Sequence, residues 1–350
     1  MARVMVVFGG RSEEHEVSLA SARAIAGALE GGRHEVVPVG ITRSGRWVHS
    51  GDPMRELEGE SKSLPDGSTL EMSGPAAAAE DKLPANLGSV DVVFPVLHGP
   101  YGEDGTIQGM LELAGVPYVG SGVLGSAVGM DKITMKKIFA HHGLPQVEWI
   151  GLTRKEWGED PKGKISKIEA KLGYPCFVKP ANLGSSVGID KAEDASGLWA
   201  ALDAAAGLDR RVIVEKGVDA REVEVSVLGN ENPEVSEPGE ILLQSDGFYD
   251  YEAKYVEGGM ELGVPAKIPA ETSEEIRGIA RTAFEAIDAA GMARVDFFLE
   301  RGTDRLLLNE INTIPGFTPT SVYAELWAAS GLPYEDLIER LIDLALERHG

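Results

Sequence analysis

The chain has 350 residues, 43% of them hydrophobic and 25% charged, with a formal net charge of −23 at pH 7. That length exceeds one small core and suits two or three domains that share a cleft. The acidic surplus argues against nucleic acid or an anionic membrane as partner, since either needs a basic face, and it reads as a solvated acidic surface.

In chain order, "RVMVVFGG" reads as a buried parallel strand ending in a glycine turn, "EVSLASARAIAGALE" as the helix behind it, and "HEVVPVGIT" as the next strand. This β-α-β unit implies a parallel sheet with a right-handed crossover. The opening "MARVMVVFGG" is too short an apolar run, and lacks a cleavage region, for a signal peptide. No stretch approaches the ~20 apolar residues of a membrane span, so a cytoplasmic protein is expected. Residues 51–87, rich in Pro, Gly, Ser, Ala and Glu, read as an irregular surface excursion. "VDVVFPVLHG" returns as a strand, and "GTIQGMLELAGVPYVG" as a helix leading to a short strand, which closes a first unit near Gly120–Gly122. A second unit holds the amphipathic helix "GMDKITMKKIFAHHG", the strand "YPCFVKP", a glycine loop and the strand "RVIVEKGV". The third runs from "REVEVSVLG" through the helix "ETSEEIRGIARTAFEAIDAAG" and the strands "ARVDFFLE" and "RLLLNEIN" to the terminal helix "YEDLIERLIDLALERH". The single cysteine, Cys176, forms no intramolecular disulfide and reads as a small buried hydrophobe.

Two constellations carry chemistry. "VKPANLGSSVGI" places Lys179 at a strand end before a loop containing Gly184, Ser185, Ser186 and Gly188. Small residues let backbone N–H groups approach phosphate oxygens while a lysine supplies a point charge. Alone, the segment suits a flexible hairpin almost as well. Neither a Walker loop nor GxGxxG is present, which counts against a dinucleotide oxidoreductase. In the second constellation, adjacent strands would put Asp296 beside Glu310, and a period of two puts Glu310 and Asn312 on one face. Three hard oxygen donors suit Mg²⁺. The alternative is a buried acid satisfied by Arg294 or Lys254. The upstream lysine-glycine loop favours metal-nucleotide binding.

"VFGGRSEEHEVSLASA", "HGPYGEDGTIQG", "GSGVLGSAVGMDK", "VKPANLGSSVGI", "FYDYEAKY", "ARVDFF" and "NEINTIPGFT" occur in family order from residue 4 to about 321. Together they resemble the D-alanine–D-alanine ligases of the ATP-grasp superfamily. The resemblance implies an α/β fold of three domains: an N-terminal parallel-sheet substrate domain (residues 1–121), a central ATP-grasp subdomain (122–216) and a C-terminal ATP-grasp and catalytic domain (217–350), the last two clasping ATP. It places Lys132 and Lys179 on the α- and β-phosphates, with Ser185 and Ser186 in the phosphate loop. Glu215, Lys216 and the Val218 backbone fall at the adenine, Glu222 at the ribose and Lys254 at the γ-phosphate. Asp296, Glu310 and Asn312 become ligands of two Mg²⁺ ions, for which Mn²⁺ can substitute, with Glu310 bridging them. Glu14 would pair with the ammonium of the first D-alanine near His98, although the adjacent Glu13 and Glu16 compete for that assignment. Ser321 and Lys254 would meet the second D-alanine's carboxylate. Arg294 and the Gly316 N–H would form the oxyanion site. Tyr255, in a closing flap, would bond towards Ser185 and Glu14, and the intact "YDYEAKY" implies an amine rather than a hydroxy acid as second substrate. The implied reaction is ATP-dependent formation of D-alanyl-D-alanine through D-alanyl phosphate, by a homodimer. Another ATP-grasp ligase, or a non-catalytic nucleotide-binding module, are the alternatives. The second would lack phosphate lysines or metal ligands, and none is missing.

Overall fold

A computed structural model describes residues 1–30, 34–63, 89–184, 187–243 and 260–350. Ser185, Ser186, Lys254 and Tyr255, and residues 64–87 of the excursion, lie outside the described residues.

The first part contains β1 (Arg3–Gly9), α1 (His15–Leu29), β2 (Glu35–Ile41), β3 (Trp47–Val48), α2 (Pro53–Ser63), β4 (Val92–Val96) and α3 (Thr106–Ala114). Its sheet has the order β3-β2-β1-β4, with β1 parallel to both β2 and β4. Successive residues of β1 serve opposite cores: Val4, Val6 and Phe8 join one apolar cluster, Met5 and Val7 another. This two-sided burial is why β1 reads as a continuous apolar run. One of its two cores is closed from far along the chain, because the terminal helix contributes Leu337, Ile338, Leu341 and Ile342.

Residues 53–63 correct the expectation of an irregular excursion, since they form a helix. Pro53 stands at its start, where a missing N–H costs nothing, and the Asp52 carboxylate accepts the Arg55 N–H at 3.1 Å. Leu57 is fully buried in the core beneath, and Arg46 pairs with Glu56 at 2.7 Å. One buried leucine and two ion pairs, the second between Arg23 of α1 and Glu58, anchor a segment whose composition is typical of loops.

The middle part runs through α4 (Val123–Met130), α5 (Lys132–His141), β5 (Trp149–Thr153), α6 (Arg154–Glu159), α7 (Pro161–Leu172), β6 (Cys176–Pro180), β7 (Asp190–Ala192), α8 (Ala195–Leu208) and β8 (Arg211–Lys216). The antiparallel sheet β5-β8-β6-β7 turns Cys176, Val178, Val212 and Val214 towards the helices α6–α8. Cys176 is fully buried and burial pushes its thiol up to about 11, so it behaves as a hydrophobe. The opposite face carries Phe177, Lys179, Ile213 and Glu215, and Ile213 packs on Ile133 of α5.

The last part holds β9 (Ala220–Gly229), β10 (Glu234–Val235), β11 (Gly239–Leu243), β12 (Met260–Gly263), α9 (Ala270–Ala286), β13 (Gly291–Glu300), β14 (Leu306–Asn312), α10 (Val322–Ala329) and α11 (Tyr334–His349). Its sheet has the order β12-β11-β9-β13-β14, with β10 beside β9. Val223, Val225, Val227, Ala293, Val295 and Phe297 pack against α9 and against Val128, Met135 and Phe139 of α4 and α5. By alternation, Glu222, Glu224, Arg294 and Asp296 occupy the other face.

The strand that supplies Glu310 solves a parity problem. Leu306, Leu308 and Ile311 all join the same core, yet strict alternation would send Glu310 and Asn312 into that core with Leu306 and Leu308. The register slips between Asp296, which opposes Glu310, and Phe297, which opposes Leu308. Asn309 is the extra residue of this β-bulge, and it flips the face of everything after it.

Candidate active site

The three sheets surround a cavity of about 320 Å³. Its lining includes Glu14, His98, Lys132, Lys179, Gly184, Glu215, Lys216, Val218, Glu222, Arg294, Asp296, Glu310, Asn312 and Gly316. All of the described residues to which the resemblance assigns a role therefore meet there except Ser321. The Ser321 hydroxyl instead accepts the Thr318 N–H at 2.9 Å and shares a 2.8 Å bond with the Thr318 hydroxyl.

At the first-sheet end, Glu14 sits at the start of α1 and is 8% exposed. Glu13 and Glu16 are exposed, and Glu16 pairs with Arg43. Two glycines make room for the Glu14 carboxylate: a Cβ on Gly99 would lie 3.2 Å from Oε2, and one on Gly184 only 3.0 Å away. His98 is buried just beyond β4, and its Nδ1 lies 3.0 Å from the Ile314 carbonyl oxygen. A carbonyl can only accept, so Nδ1 carries the proton and Nε2 keeps its lone pair. Among the described residues Nε2 has no hydrogen-bond partner. Desolvation lowers the His98 pKa against the pull of Glu14 and the Ile314 carbonyl, so the ring is neutral at neutral pH.

Glu103 was not singled out from the sequence. Its carboxylate accepts the Gly99 N–H at 2.6 Å and the Ile314 N–H at 3.3 Å, tying the first sheet's loop to the turn after β14. Desolvation and the nearby Glu14 charge push it up to about 8, against those two N–H donors and Lys132.

On the middle sheet's wall, Lys132 opens α5. Asp131 caps that helix by accepting the Thr134 N–H at 2.8 Å, and Arg211 pairs with Asp131 from β8. The Lys132 ammonium donates to the Leu183 carbonyl at 2.8 Å and lies 3.9 Å from Glu310 Oε2. Glu215 is 3% exposed and takes one lysine on each oxygen: Lys136 at 2.8 Å on Oε1 and Lys179 at 2.6 Å on Oε2. Desolvation would raise its pKa, but the two ammoniums hold it at about 2. Lys136 was also missed. Its spacing of one helical turn from Lys132 was the available signal.

The third sheet sets a row of acids across three strands, because Glu224 of β9 opposes Asp296 of β13, which opposes Glu310 of β14. Like charges in adjacent cross-strand positions repel, so the row needs cations. Arg294 Nε donates to Asp296 Oδ1 and lies beside Glu224 Oε2, both at 2.8 Å, while its Nη2 reaches Asp296 Oδ2 at 2.8 Å. The Asn312 amide donates to Asp296 Oδ2 at 3.0 Å. Arg294 thus satisfies Asp296, the alternative left open by the sequence, and it is itself fixed by two carboxylates. Glu224 was overlooked although it follows Glu222 by two positions on the same strand face. The donor chemistry of Asp296, Glu310 and Asn312 fits Mg²⁺: hard oxygens on rigid neighbouring strands, lining the cavity.

The sequence pattern of the D-ala D-ala ligase N-terminus matches residues 3–121, and that of the D-ala D-ala ligase C-terminus matches residues 138–343. The D-alanine–D-alanine ligase of Geobacillus thermodenitrificans is 48% identical to the chain, over 99% of this chain and 96% of the relative. The enzyme of that name from Acetivibrio thermocellus is also 48% identical, with the same coverage of 99% and 96%. Among solved structures, the D-alanine-D-alanine ligase from Coxiella burnetii has a TM-score of 0.81 at 34% identity, covering 100% of this chain and 96% of that one. VanG D-Ala:D-Ser ligase from Enterococcus faecalis has a TM-score of 0.81 at 36% identity, covering 98% and 99%. These likenesses bear out the ATP-grasp architecture expected from the motifs. Matched along nearly its whole length in sequence and in fold, the chain belongs to the D-alanine–D-alanine ligase family of ATP-dependent ligases.

Proposed function

We propose that this ligase makes D-alanyl-D-alanine, the dipeptide of peptidoglycan precursors, through a D-alanyl phosphate, with the sites arranged as the motif resemblance implies. The observation that carries the reading is the shared cavity: Glu14 and His98, the lysines 132 and 179, and the Arg294–Asp296–Glu310–Asn312 set line one space.

The nucleotide lies between the middle and last sheets, with Glu215, Lys216, Val218 and Glu222 around adenine and ribose and Lys132 and Lys179 on the phosphates. Ser185, Ser186 and Lys254, which lie outside the described residues, complete this site. Asp296, Glu310 and Asn312 would hold two Mg²⁺ ions, or Mn²⁺ in their place, which when bound would supply the positive charge that offsets the phosphates. Glu14 receives the ammonium of the first D-alanine, so that its carboxylate faces the γ-phosphate. That carboxylate oxygen takes the phosphoryl group as ADP leaves. The amine of the second D-alanine, whose carboxylate meets Ser321 and Lys254, then attacks the acyl carbon and expels inorganic phosphate. Arg294 and the Gly316 N–H stabilise the tetrahedral oxyanion, the term that dominates such steps. A neutral His98 with a lone pair on Nε2 suits acceptance of the proton that the second D-alanine's ammonium must lose to become the attacking amine. By the motif resemblance Tyr255, which lies outside the described residues, would shield the acyl phosphate from water. The chain is divided at residues 121 and 216 into its three domains. Among the described residues no helix is long and apolar enough to cross a membrane. We place the enzyme in the cytoplasm as a homodimer, with D-alanine and ATP as its partners rather than nucleic acid or membrane.

The test is phosphate release from ATP and Mg²⁺ with either D-alanine or L-alanine as the only amino acid. Release confined to D-alanine supports the assignment, whereas equal release with both rejects it. D-alanine labelled with ¹⁸O in its carboxylate should transfer one label to each phosphate, and unlabelled phosphate would exclude the acyl phosphate. Depsipeptide as the main product from mixed D-alanine and D-lactate at neutral pH would exclude amine selectivity.

A further inference from the structure

Lys136 is buried more deeply than any phosphate ligand requires, with its side chain 1% exposed. It stands on α5 and reaches both walls of the nucleotide cleft. Its ammonium lies 2.8 Å from Glu215 Oε1 on the middle sheet and donates to the Asn309 carbonyl at 3.1 Å on the last. Asn309 is the bulged residue that turns Glu310 towards the cavity. The Lys136 backbone carbonyl in turn accepts the Gln146 amide at 3.1 Å.

The charges around Glu215 decide what Lys179 can do. Lys179 bonds to Glu215 Oε2 at 2.6 Å. Glu215 and Lys179 alone would make a neutral pair, with the lysine's charge spent on its own strand neighbour. With Lys136 on the other oxygen, the trio carries one net positive charge, and of its two lysines Lys179 is the one that lines the cavity. Carboxylates crowd the same space, since Glu310 and Glu222 also act on Lys179. Without Lys136 the Lys179–Glu215 pair would offer an incoming phosphate no net charge, and the attraction would fall to Lys132 on the same wall.

We propose that Lys136 is a positioning residue for the nucleotide: it neutralises Glu215 from behind, so that the charge of Lys179 is left for the phosphates, while it pins the bulge that presents Glu310. This rests on the reading of Lys179 as a phosphate ligand. The purely structural alternative, a lysine that only holds α5 to the two sheets, predicts equal damage to every ligand of the cleft.

Affinities of the full chain for ADP and for adenosine, measured by calorimetry without added metal, separate the two. Lys136→Met should weaken ADP by roughly tenfold to a hundredfold, as expected for one charge removed from a partly screened site, and adenosine by less than about threefold. In a Glu215→Gln background the same substitution should weaken ADP at least about threefold less than in the wild type, because no carboxylate remains to hold Lys179 back from the phosphates and only the loss of the Lys136 charge itself persists. Equal losses for ADP and adenosine, or an undiminished ADP loss beside Glu215→Gln, overturn the proposal. If Lys136→Met alone does not fold, the comparison of Glu215→Gln with the double variant decides, since removing both partners of a buried pair is tolerated better than removing one. A wild-type chain that binds ADP no tighter than adenosine would remove the phosphate site itself, and this inference with it. A wild-type preference for ADP combined with equal losses removes the inference alone.

Discussion

Replacing Arg294 with methionine should expose how strained the row of acids is. The substitution keeps most of the side chain's volume and removes a guanidinium that makes three contacts of 2.8 Å, two to Asp296 and one to Glu224. Glu224 and Asp296 have side-chain exposures of 1% and 10%, so water cannot replace the lost cation. Leaving a buried charge unpaired costs ~3–5 kcal/mol. A second bound confirms the scale: two carboxylates about 5 Å apart at an effective dielectric near 20 repel by roughly 3 kcal/mol. Urea unfolding at pH 7.5, followed by circular dichroism, should therefore show a loss of several kcal/mol for Arg294→Met. The deficit should shrink as the pH falls into the carboxylate range, because one member of the row then takes a proton. Turnover, measured as phosphate release, should fall by ~10²–10³ if the same guanidinium serves the oxyanion. Adding Glu224→Gln should recover part of the stability and none of the turnover. A stability deficit below about 1 kcal/mol would refute the account of the acid row, and turnover restored by Glu224→Gln would refute the separate catalytic role.

Glu310→Gln should leave unfolding unchanged within about 1 kcal/mol and remove most of the turnover, and near-normal phosphate release would sink the metal assignment. Deleting Asn309 should abolish activity and the cooperative unfolding transition, since Glu310 and Asn312 would rotate onto the apolar face. Asn309→Ala keeps the bulge and the carbonyl that Lys136 uses, so comparable damage from both changes would argue against the parity explanation. Glu103 is held at about 8, above its ordinary 4.5. A raised pKa in the folded state favours folding fully below the ordinary value, and that contribution is lost as pH rises through about 8. The melting temperature of the wild type relative to Glu103→Gln should accordingly fall between pH 6 and pH 9. A difference that does not vary with pH would contradict it.

Much of the architecture was legible because its signals are local. The run Val4–Phe8 declares a strand buried on both faces, the lysine-glycine loop declares its backbone, and Asp296 opposite Glu310 follows from two neighbouring strands. The helix at 53–63 was not legible, because the burial of Leu57 and the pairing of Glu56 with Arg46 depend on a sheet formed elsewhere in the chain.

By itself, then, the sequence determined which residue types are available to the site and the strands and loops that carry them, since period-two and period-3.6 patterns are properties of neighbours. Only the tertiary structure decided which charges neutralise which. Lys136 looks like any surface lysine of an amphipathic helix until the Asn309 carbonyl, 173 residues away, and Glu215 close over it. Glu103 titrates high because folding brings it to Glu14 and excludes water. The bulge at Asn309 exists because Leu306, Leu308 and Ile311 must share one core while Glu310 and Asn312 face the cavity. Desolvation and long-range pairing are sums over the whole packed molecule, and no short window of sequence contains them.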